Sequence, residues 1–146
     1  MNTIKQTNPE ALEISIVIPL YNERENLVLL DQEITKNIKP LNKSYEVILV
    51  DDGSTDGSSE LIRVLQKINS NLRLIRFGHN HGQTAAFAAG FNKAGGNIIV
   101  TMDADLQNSP SDIPLLLNAI KDYDVVCGWR HTVSYTHLTL PTILLV

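Results

Sequence analysis

Two aspartates separated by one residue, Asp103 and Asp105, follow the apolar run at residues 97–102. In an extended chain, positions i and i+2 share a face, so these like charges lie a few ångströms apart and need a cation. Gln107 falls on the same face and adds a neutral oxygen. An all-oxygen ligand set suits Mg²⁺ or Mn²⁺ better than Zn²⁺. The spacing therefore predicts a divalent metal site at Asp103, Asp105 and Gln107.

Acidic residues also follow two earlier apolar runs. The first run continues into Tyr21 and Glu23, and the second continues into Asp51 and Asp52. In open α/β sheets, ligands bind beyond the carboxyl ends of the strands, so these side chains are expected to converge on one rim with the later aspartates. Aspartate, serine and glycine are also ordinary turn residues, so a purely structural role for the segment DDGS stays open.

The phosphate-binding motifs common in α/β folds are missing from the sequence. The turn after the first apolar run has no G-x-G-x-x-G pattern, and the chain contains no G-K-S or G-K-T. A bound diphosphate would therefore be neutralised by the metal. The helix predicted to open at Gly82 and Gln83 offers backbone N–H groups to an anion, although the glycine also fits a flexible helix entry. His79 and His81 are interpreted as solvated loop residues.

The elements that must position these residues follow from hydrophobic patterning. Buried strands are predicted at residues 14–20, 46–50, 72–77, 97–102 and 124–128. Helices are predicted at residues 23–38, 56–68, 83–94 and 111–121. In the second helix, Leu61, Val64, Leu65 and Ile68 recur at helical spacing, and Ser111 is predicted to cap the fourth. This alternation predicts an α/β fold, a Rossmann-like, doubly wound and mainly parallel sheet.

Size and composition fit one such unit. The chain has 146 residues, of which 43% are hydrophobic, enough for the core of one domain. Its net charge of −4 argues against a nucleic-acid partner. The single Cys127 is interpreted as a small buried hydrophobe, and no window is apolar for long enough to cross a bilayer. A cytoplasmic location is expected, or the cytoplasmic face of a membrane for a longer protein.

Four segments, in order, carry a family resemblance: SIVIPLYNERENL, EVILVDDGSTDGS, NHGQTAAFAAGF and IIVTMDADLQNSPSDIP. They resemble the family-two inverting glycosyltransferases of the GT-A fold. The DADLQNSP form and the GQTAAFAAGF helix are most similar to the polyprenyl-phosphate branch, which includes dolichol-phosphate mannose synthases and bacterial undecaprenyl-phosphate sugar transferases. The resemblance covers residues 14–130 and implies the nucleotide-sugar-binding half of a GT-A domain.

The resemblance implies a role for each matching residue around the nucleoside. Pro19, Tyr21 and Glu23 match the segment that contacts the nucleobase. Asp52, with Asp51 beside it, matches the acid that recognises the base or the ribose.

Other matching positions concern the transferred sugar. Asp103, Asp105 and Gln107 match the D-x-D-x-Q that holds Mg²⁺ or Mn²⁺ and, through it, the diphosphate of a nucleotide sugar. Arg130 matches an arginine near the sugar and the acceptor phosphate, although a solvated charge at a strand end is an alternative. Asp103, Asp105 and Arg130 are therefore the expected catalytic residues.

The implied activity is transfer of a sugar from a nucleoside diphosphate sugar to a polyprenyl phosphate, with inversion. A phosphate monoester is already anionic near pH 7 and needs no general base. Two alternatives stay open: a transferase acting on a saccharide hydroxyl, which needs a carboxylate base, and a non-catalytic nucleotide-sugar-binding fragment. A nucleotidyltransferase is disfavoured because such an enzyme requires a glycine-rich, basic loop after the first strand, where this chain has Tyr21-Asn22-Glu23.

The expected domain organisation has three parts. Residues 1–13 form an N-terminal extension, residues 14–130 an incomplete GT-A nucleotide-sugar-binding domain, and residues 131–146 a non-native tail. The tail contains no Asp, Glu, Lys or Arg. Residues 133–142 resemble one translated frame of a transposase sequencing adapter. At most it is expected to add an edge strand. Acceptor-binding segments, and any membrane association, are expected from regions outside this chain.

Overall fold

The computed structural model of the chain describes residues 12–128 and the backbone of residues 143–145. Alternating strands and helices form one layered α/β unit. The strands are β1 (Ile14–Leu20), β2 (Tyr45–Asp51), β3 (Leu72–Arg76), β4 (Ile98–Thr101), β5 (Val125–Cys127) and β6 (Ile143–Leu145). The helices are α1 (Leu27–Ile38), α2 (Ser58–Leu65), α3 (Gln83–Lys93) and α4 (Ile113–Ala119). Short 3₁₀ turns flank α4 and follow α1.

The sheet has the strand order β3-β2-β1-β4-β6-β5. The first four strands are mutually parallel, whereas β6 pairs antiparallel with both β4 and β5. Leu20 pairs with Asp51 at the carboxyl ends of β1 and β2, and Val17 pairs with Thr101 at the end of β4. The predicted fold class, a Rossmann-like and mainly parallel α/β sheet, is confirmed.

Every residue of β1 is buried because helices cover both faces of the sheet. On one face, alternate β1 residues such as Ile16 and Ile18 join a core with the apolar sides of α1, α2 and α4. On the other face, Val17 packs with β2 and α3. Helix α3 lies very close to the sheet at Gly90, where an added Cβ would lie 2.3 Å from Val17 Cγ1.

The helices differ from prediction in their bounds and faces. Helix α1 begins at Leu27 rather than residue 23, because the preceding residues form turns at the carboxyl end of β1. Helix α2 buries Ile62 and Leu65, while Val64 is half exposed and Ile68 lies beyond the helix, so the predicted apolar stripe was only partly right.

Two smaller sequence predictions are also wrong. Ser109, not Ser111, provides the cap before α4, because its side chain accepts the Ser111 N–H. Cys127 is exposed rather than buried, since it lies on β5 at the edge of the sheet.

The backbone of residues 143–145 differs from the expectation of an edge strand. Ile143–Leu145 lies between β4 and β5, with Leu144 opposite Val100 and Val126. The proposed domain boundary at residue 130, and the proposal that the tail is non-native, stay predictions.

A buried carboxylate lies at the other end of the sheet, where β2 begins. Glu46 accepts hydrogen bonds from Ser15 Oγ at 2.6 Å and from the Gly95 N–H at 2.8 Å, and it pairs with Arg73. Burial by itself raises the pKa of Glu46, but these hydrogen bonds and the Arg73 charge together hold the pKa below its ordinary value. The side chain therefore stays ionised and ties β1, β2, β3 and the segment before β4 together.

Candidate functional site

A cavity of about 410 Å³ opens at the carboxyl ends of β1, β2 and β4 and at the start of α3. It is lined by eight of the residues that the sequence singled out: Pro19, Tyr21, Glu23, Asp52, Gly82, Gln83, Asp103 and Asp105. The remaining predicted residues behave differently. Asp51 and Gln107 do not line the cavity, and Arg130 lies outside the described residues.

The segment after β1 is fastened to the segment after β2 by one asparagine. Asn22 has a φ of 57°, a left-handed conformation that asparagine tolerates. Its N–H donates to Ser54 Oγ at 2.9 Å, and its Oδ1 accepts the Thr55 N–H at 2.9 Å. These reciprocal bonds fix the neighbouring Tyr21 and Glu23 at the cavity wall. Asn22 was not among the predicted site residues, although its type suits a strained turn.

A second link joins the same two segments at Asp56. Its carboxylate accepts the Arg24 N–H at 3.0 Å and hydrogen bonds from the amide and hydroxyl of Ser58. Partial desolvation raises the pKa of Asp56, but these hydrogen bonds outweigh it and hold the pKa below its ordinary value. An ionised Asp56 therefore holds the entry to α2 against the loop after β1.

The adjacent aspartates at the end of β2 have different surroundings. Asp51 is fully buried, and its carboxylate accepts the Ser54 N–H at 2.7 Å and the Ser59 hydroxyl. It holds the turn and the start of α2, which is the role that the structural alternative gives this residue. Asp52 lines the cavity.

Asp52 also organises the chain that leads into α3. One carboxylate oxygen accepts the His81 N–H at 2.7 Å, and the other accepts the Gly82 N–H at 2.8 Å. The Gly82 N–H, predicted as a donor to an anion, is thus already bonded to a protein carboxylate. Gly82 itself has a φ of 93°, which suits glycine at this helix entry.

Gly53 allows the two loops around Asp52 to meet. Its φ is 81°, and an added Cβ would lie 2.6 Å from the carbonyl carbon of His79 and 2.8 Å from the Asn80 nitrogen. A side chain at this position would push the two backbones apart. Glycine is therefore required here both by conformation and by space.

The rings of His79 and His81 lie against each other in the loop before α3, tilted by 36°. Their centroids are 4.0 Å apart, and His81 also meets Phe77 edge-on at 5.2 Å. Both histidines are exposed, in line with the interpretation of solvated loop residues.

The segment from Asp103 to Gln107 is a turn rather than extended chain, which corrects the premise of the metal prediction. Residues 104–106 form a turn, and Leu106 has a φ of 61°. The Gln107 N–H donates to Asp105 Oδ1 at 3.0 Å, so the turn closes on the second aspartate. Asp103 and Asp105 still reach the cavity wall, but the exposed Gln107 side chain does not line it.

The cavity is strongly acidic. Four carboxylates line it, from Glu23, Asp52, Asp103 and Asp105, and among the described residues no lysine or arginine does. Such a cavity favours a cation and disfavours a bare anion. A nucleoside diphosphate therefore needs a counter-charge on entering.

The donor set fits a hard divalent cation that is shared with a ligand. In the described part of the chain, no group of three or more His, Cys, Asp and Glu side chains is placed to hold a metal alone. Magnesium is commonly held by one or two carboxylates together with substrate phosphates. Asp103 and Asp105 supply the two carboxylates at one end of the cavity.

Comparison with known proteins agrees with this arrangement. The sequence profile described as "Glycosyl transferase family 2" matches residues 15–141. The chain belongs to this family. The parallel sheet and the acidic cavity described above therefore lie within a domain of this family, because the matched residues run from the second residue of β1 through β5 and include the residues that line the cavity.

Curated relatives belong to one named group of family-2 enzymes. The chain is 44% identical over 128 residues to the undecaprenyl-phosphate 4-deoxy-4-formamido-L-arabinose transferase of Proteus mirabilis (strain HI4320), covering 86% of this chain and 38% of the relative. It is 46% identical over 125 residues to the protein of the same name from Aeromonas hydrophila, covering 84% and 38%. The chain thus spans less than two-fifths of the length of these relatives.

Solved structures share the fold. The mannosyltransferase PcManGT from Pyrobaculum calidifontis, in complex with GDP-Man and Mn²⁺, matches with a TM-score of 0.63 and 25% identity, over 79% of this chain and 34% of that one. S. aureus TarS 1-349 in complex with UDP-GlcNAc matches with a TM-score of 0.64 and 24% identity, over 77% of this chain and 33% of that one.

Within the described residues of the present chain, no helix is both long and apolar enough to cross a membrane.

Proposed function

We propose that this chain is the donor-binding part of a glycosyltransferase that moves a sugar, with inversion, from a nucleoside diphosphate sugar to a polyprenyl phosphate. The observation that carries the proposal is the acidic cavity at the carboxyl ends of β1, β2 and β4, where Asp52 and the Asp103–Asp105 pair face one space. The names of the curated relatives support the lipid phosphate as acceptor.

In this proposal the nucleoside lies between the segments that follow β1 and β2. Tyr21 is half exposed at the cavity wall and offers an aromatic surface to a base, next to Pro19 and Glu23. Asp52 keeps lone pairs that the His81 and Gly82 N–H groups do not use, so it can still accept a hydrogen bond from the base or ribose.

The diphosphate lies towards the Asp103–Asp105 end of the cavity in this proposal. Asp103 and Asp105 would hold Mg²⁺ or Mn²⁺, and Gln107 remains a predicted third ligand whose side chain lies away from the cavity wall. The cation, when bound, neutralises the diphosphate and stabilises it as a leaving group. The first residues of α3 lie beside the cavity, and the helix N-terminus favours the same negative charge.

The acceptor phosphate would attack the anomeric carbon from the face opposite the departing diphosphate. Its second pKa of about 6 leaves it anionic at neutral pH, so attack requires positioning rather than a general base. Arg130, outside the described residues, is proposed to stand near the sugar and the acceptor phosphate. The full-length protein is proposed to act at the cytoplasmic face of a membrane.

Isothermal titration calorimetry of the 146-residue chain tests the donor site. UDP-sugars and GDP-sugars are titrated in Mn²⁺, in Mg²⁺ and in EDTA. We expect one nucleotide series to bind with either metal and to lose most of its affinity in EDTA. Binding of equal strength in EDTA would contradict the metal assignment, and no binding of either series would contradict the proposed function.

A second measurement tests the proposal that this chain binds the donor without completing transfer. The chain spans 38% of the Proteus relative, so we expect no sugar to reach a polyprenyl phosphate in a radiolabel transfer assay. A longer protein of the relatives' length, assayed in parallel, should transfer. Transfer by the 146-residue chain would show that the acceptor site is already complete.

A further inference from the structure

The carboxylate of Asp103 is held by two side-chain amides from different parts of the chain. Gln83 Nε2, from the first residue of α3, donates to Asp103 Oδ1 at 3.0 Å. Asn108 Nδ2, from the turn before α4, donates to Asp103 Oδ2 at 3.3 Å. Each amide takes a different oxygen, so together the two bonds restrict rotation of the carboxylate plane.

The chemical type of these two donors matters for what Asp103 can do. An amide is a neutral donor, so it orients a carboxylate without cancelling its charge. A lysine or arginine in the same place would form an ion pair and compete with any cation for the carboxylate.

Gln83 also sits where two parts of the cavity meet. The residue before it, Gly82, is bonded through its N–H to Asp52, and Gln83 is bonded through its side chain to Asp103. Two consecutive residues therefore connect the carboxylates that follow β2 and β4. The bond from Gln83 reaches only the Asp103 end of the cavity, so its loss should be felt at that end alone.

We propose that Gln83 is a positioning residue that, together with Asn108, fixes the Asp103 carboxylate for a divalent cation through neutral donors. This role rests on the proposed function, in which Asp103 binds Mg²⁺ or Mn²⁺ with a nucleoside diphosphate. It assigns to Gln83 an action on a protein carboxylate, in place of the direct nucleotide contact that the sequence suggested. Outer contacts of this kind commonly change metal affinity by about 10- to 100-fold.

The test replaces Gln83 with methionine, which keeps a similar length and helix propensity and removes the amide. At saturating UDP or GDP, whichever the wild-type chain binds, Mn²⁺ is titrated and followed by electron paramagnetic resonance of the free ion. We expect Gln83→Met to raise the half-saturating Mn²⁺ concentration about tenfold. The affinity for the corresponding nucleoside, uridine or guanosine, should stay unchanged in EDTA, because the Asp52 contacts are untouched.

Gln83→Lys tests the argument about charge. Its ammonium group can pair with Asp103, so we expect a larger rise in the half-saturating Mn²⁺ concentration than for the methionine variant. Gln66→Met is the matched control, because Gln66 donates its side-chain amide to the Leu72 carbonyl and does not line the cavity. It should leave both measurements as in the wild type.

The outcomes separate this role from the proposed function. If Mn²⁺ has no effect on nucleotide binding by the wild-type chain, the proposed metal-assisted donor site is wrong and the role of Gln83 fails with it. If Mn²⁺ strengthens nucleotide binding by the wild type, and both Gln83 variants have the same half-saturating Mn²⁺ concentration as the wild type, only the positioning role is wrong. A loss of nucleoside affinity matching the loss of Mn²⁺ affinity would also overturn it, because that result indicates general damage to the loop.

Discussion

The carboxylate of Asp52 accepts the backbone N–H of Gly82 at 2.8 Å, across 30 positions in the chain. With the bond from the His81 N–H, this contact joins the end of β2 to the entry of α3. The same carboxylate forms part of the cavity wall. A residue that the resemblance associates with nucleoside recognition thus also shapes the wall beside it.

The first prediction follows from this double role. Asp52→Asn retains one acceptor oxygen but places an NH₂ group against a backbone N–H, so we expect the free energy of unfolding to fall by about 1–3 kcal/mol. Nucleoside affinity should fall as well, and Asp52→Ala should weaken it at least as much. Urea denaturation and calorimetry with uridine and guanosine measure the two effects. Asp112→Asn, an exposed position outside the cavity wall, is the control.

The second prediction concerns Asp105, one of the two carboxylates at the metal end of the cavity. Asp105→Asn keeps the acceptor for the Gln107 N–H and removes the charge, so the turn should persist while cation binding weakens. We expect the ratio of the nucleotide affinity in Mn²⁺ to the nucleotide affinity in EDTA to fall by more than tenfold relative to the wild type. Affinity in EDTA should be unchanged or slightly higher, because an acidic side chain near the diphosphate has gone. An undiminished Mn²⁺ effect would remove Asp105 from the metal site.

The third prediction concerns pH and Glu46. Because the folded-state pKa of Glu46 lies below its ordinary value of 4.5, its ionised form stabilises the fold fully at pH values above 4.5. That contribution is lost as the pH falls through the lower, folded-state pKa. We therefore expect the unfolding free energy of the wild type to decrease over this acidic range, and the decrease to be smaller in Glu46→Gln.

At pH 7 the same substitution should destabilise the chain by about 1–3 kcal/mol, since Glu46 is buried and bonded to Ser15, Gly95 and Arg73. Glu60→Gln is the matched control. Within residues 12–128, Glu60 forms exposed ion pairs with Arg63 and Arg76, which contribute about 0–1 kcal/mol. Urea denaturation from pH 3 to pH 7 gives both quantities. If the free energy of unfolding depends on pH equally in the wild type and in Glu46→Gln, groups other than Glu46 cause the loss of stability in acid.

The fourth prediction compares two glycines with left-handed φ values. Gly82→Ala meets no atom within 4 Å, so only backbone strain opposes it, about 1–3 kcal/mol. Gly53→Ala adds a clash with the backbone of His79 and Asn80, so its loss of unfolding free energy should be larger. Thermal and urea denaturation of the two variants test the order. The reverse order would show that the loop before α3 moves away from Gly53 at low cost.

The fifth prediction tests the proposal that residues 131–146 are non-native. Deleting them should leave donor binding unchanged, because the cavity lies at the carboxyl ends of β1, β2 and β4. The proposal also expects an unchanged melting temperature, whereas the pairing of β6 with β4 and β5 argues for a decrease. A loss of several degrees would show that Ile143–Leu145 belongs to the native sheet.

The sequence by itself determined the fold class and the location of the site. Runs such as ISIVIPL have the apolar, β-branched composition of strands covered on both faces, and β1 was predicted with the bounds that the structure shows. Polar residues directly after such strands must gather at one edge of a parallel sheet. Eight of the predicted residues therefore line the observed cavity.

Only the tertiary structure decided how individual side chains at that edge are used. Asp51 and Asp52 are neighbours of the same type, yet one is bonded to Ser54 and Ser59 and the other lines the cavity. Their roles depend on the packing of α2 and on the approach of the loop at Gly53, neither of which is encoded in local spacing.

The segment after β4 is a second place where the sequence did not predict the direction of a side chain. Regular alternation in an extended strand would place Gln107 on the same face as Asp103 and Asp105. The left-handed backbone of Leu106 instead turns the chain immediately before Gln107. The sequence could not predict the bond from Gln83 to Asp103, because these residues lie 20 positions apart and come together only when α3 packs against β1 and β2. Composition and spacing determine which residues reach the edge of the sheet, whereas contacts between distant segments determine which way each one points.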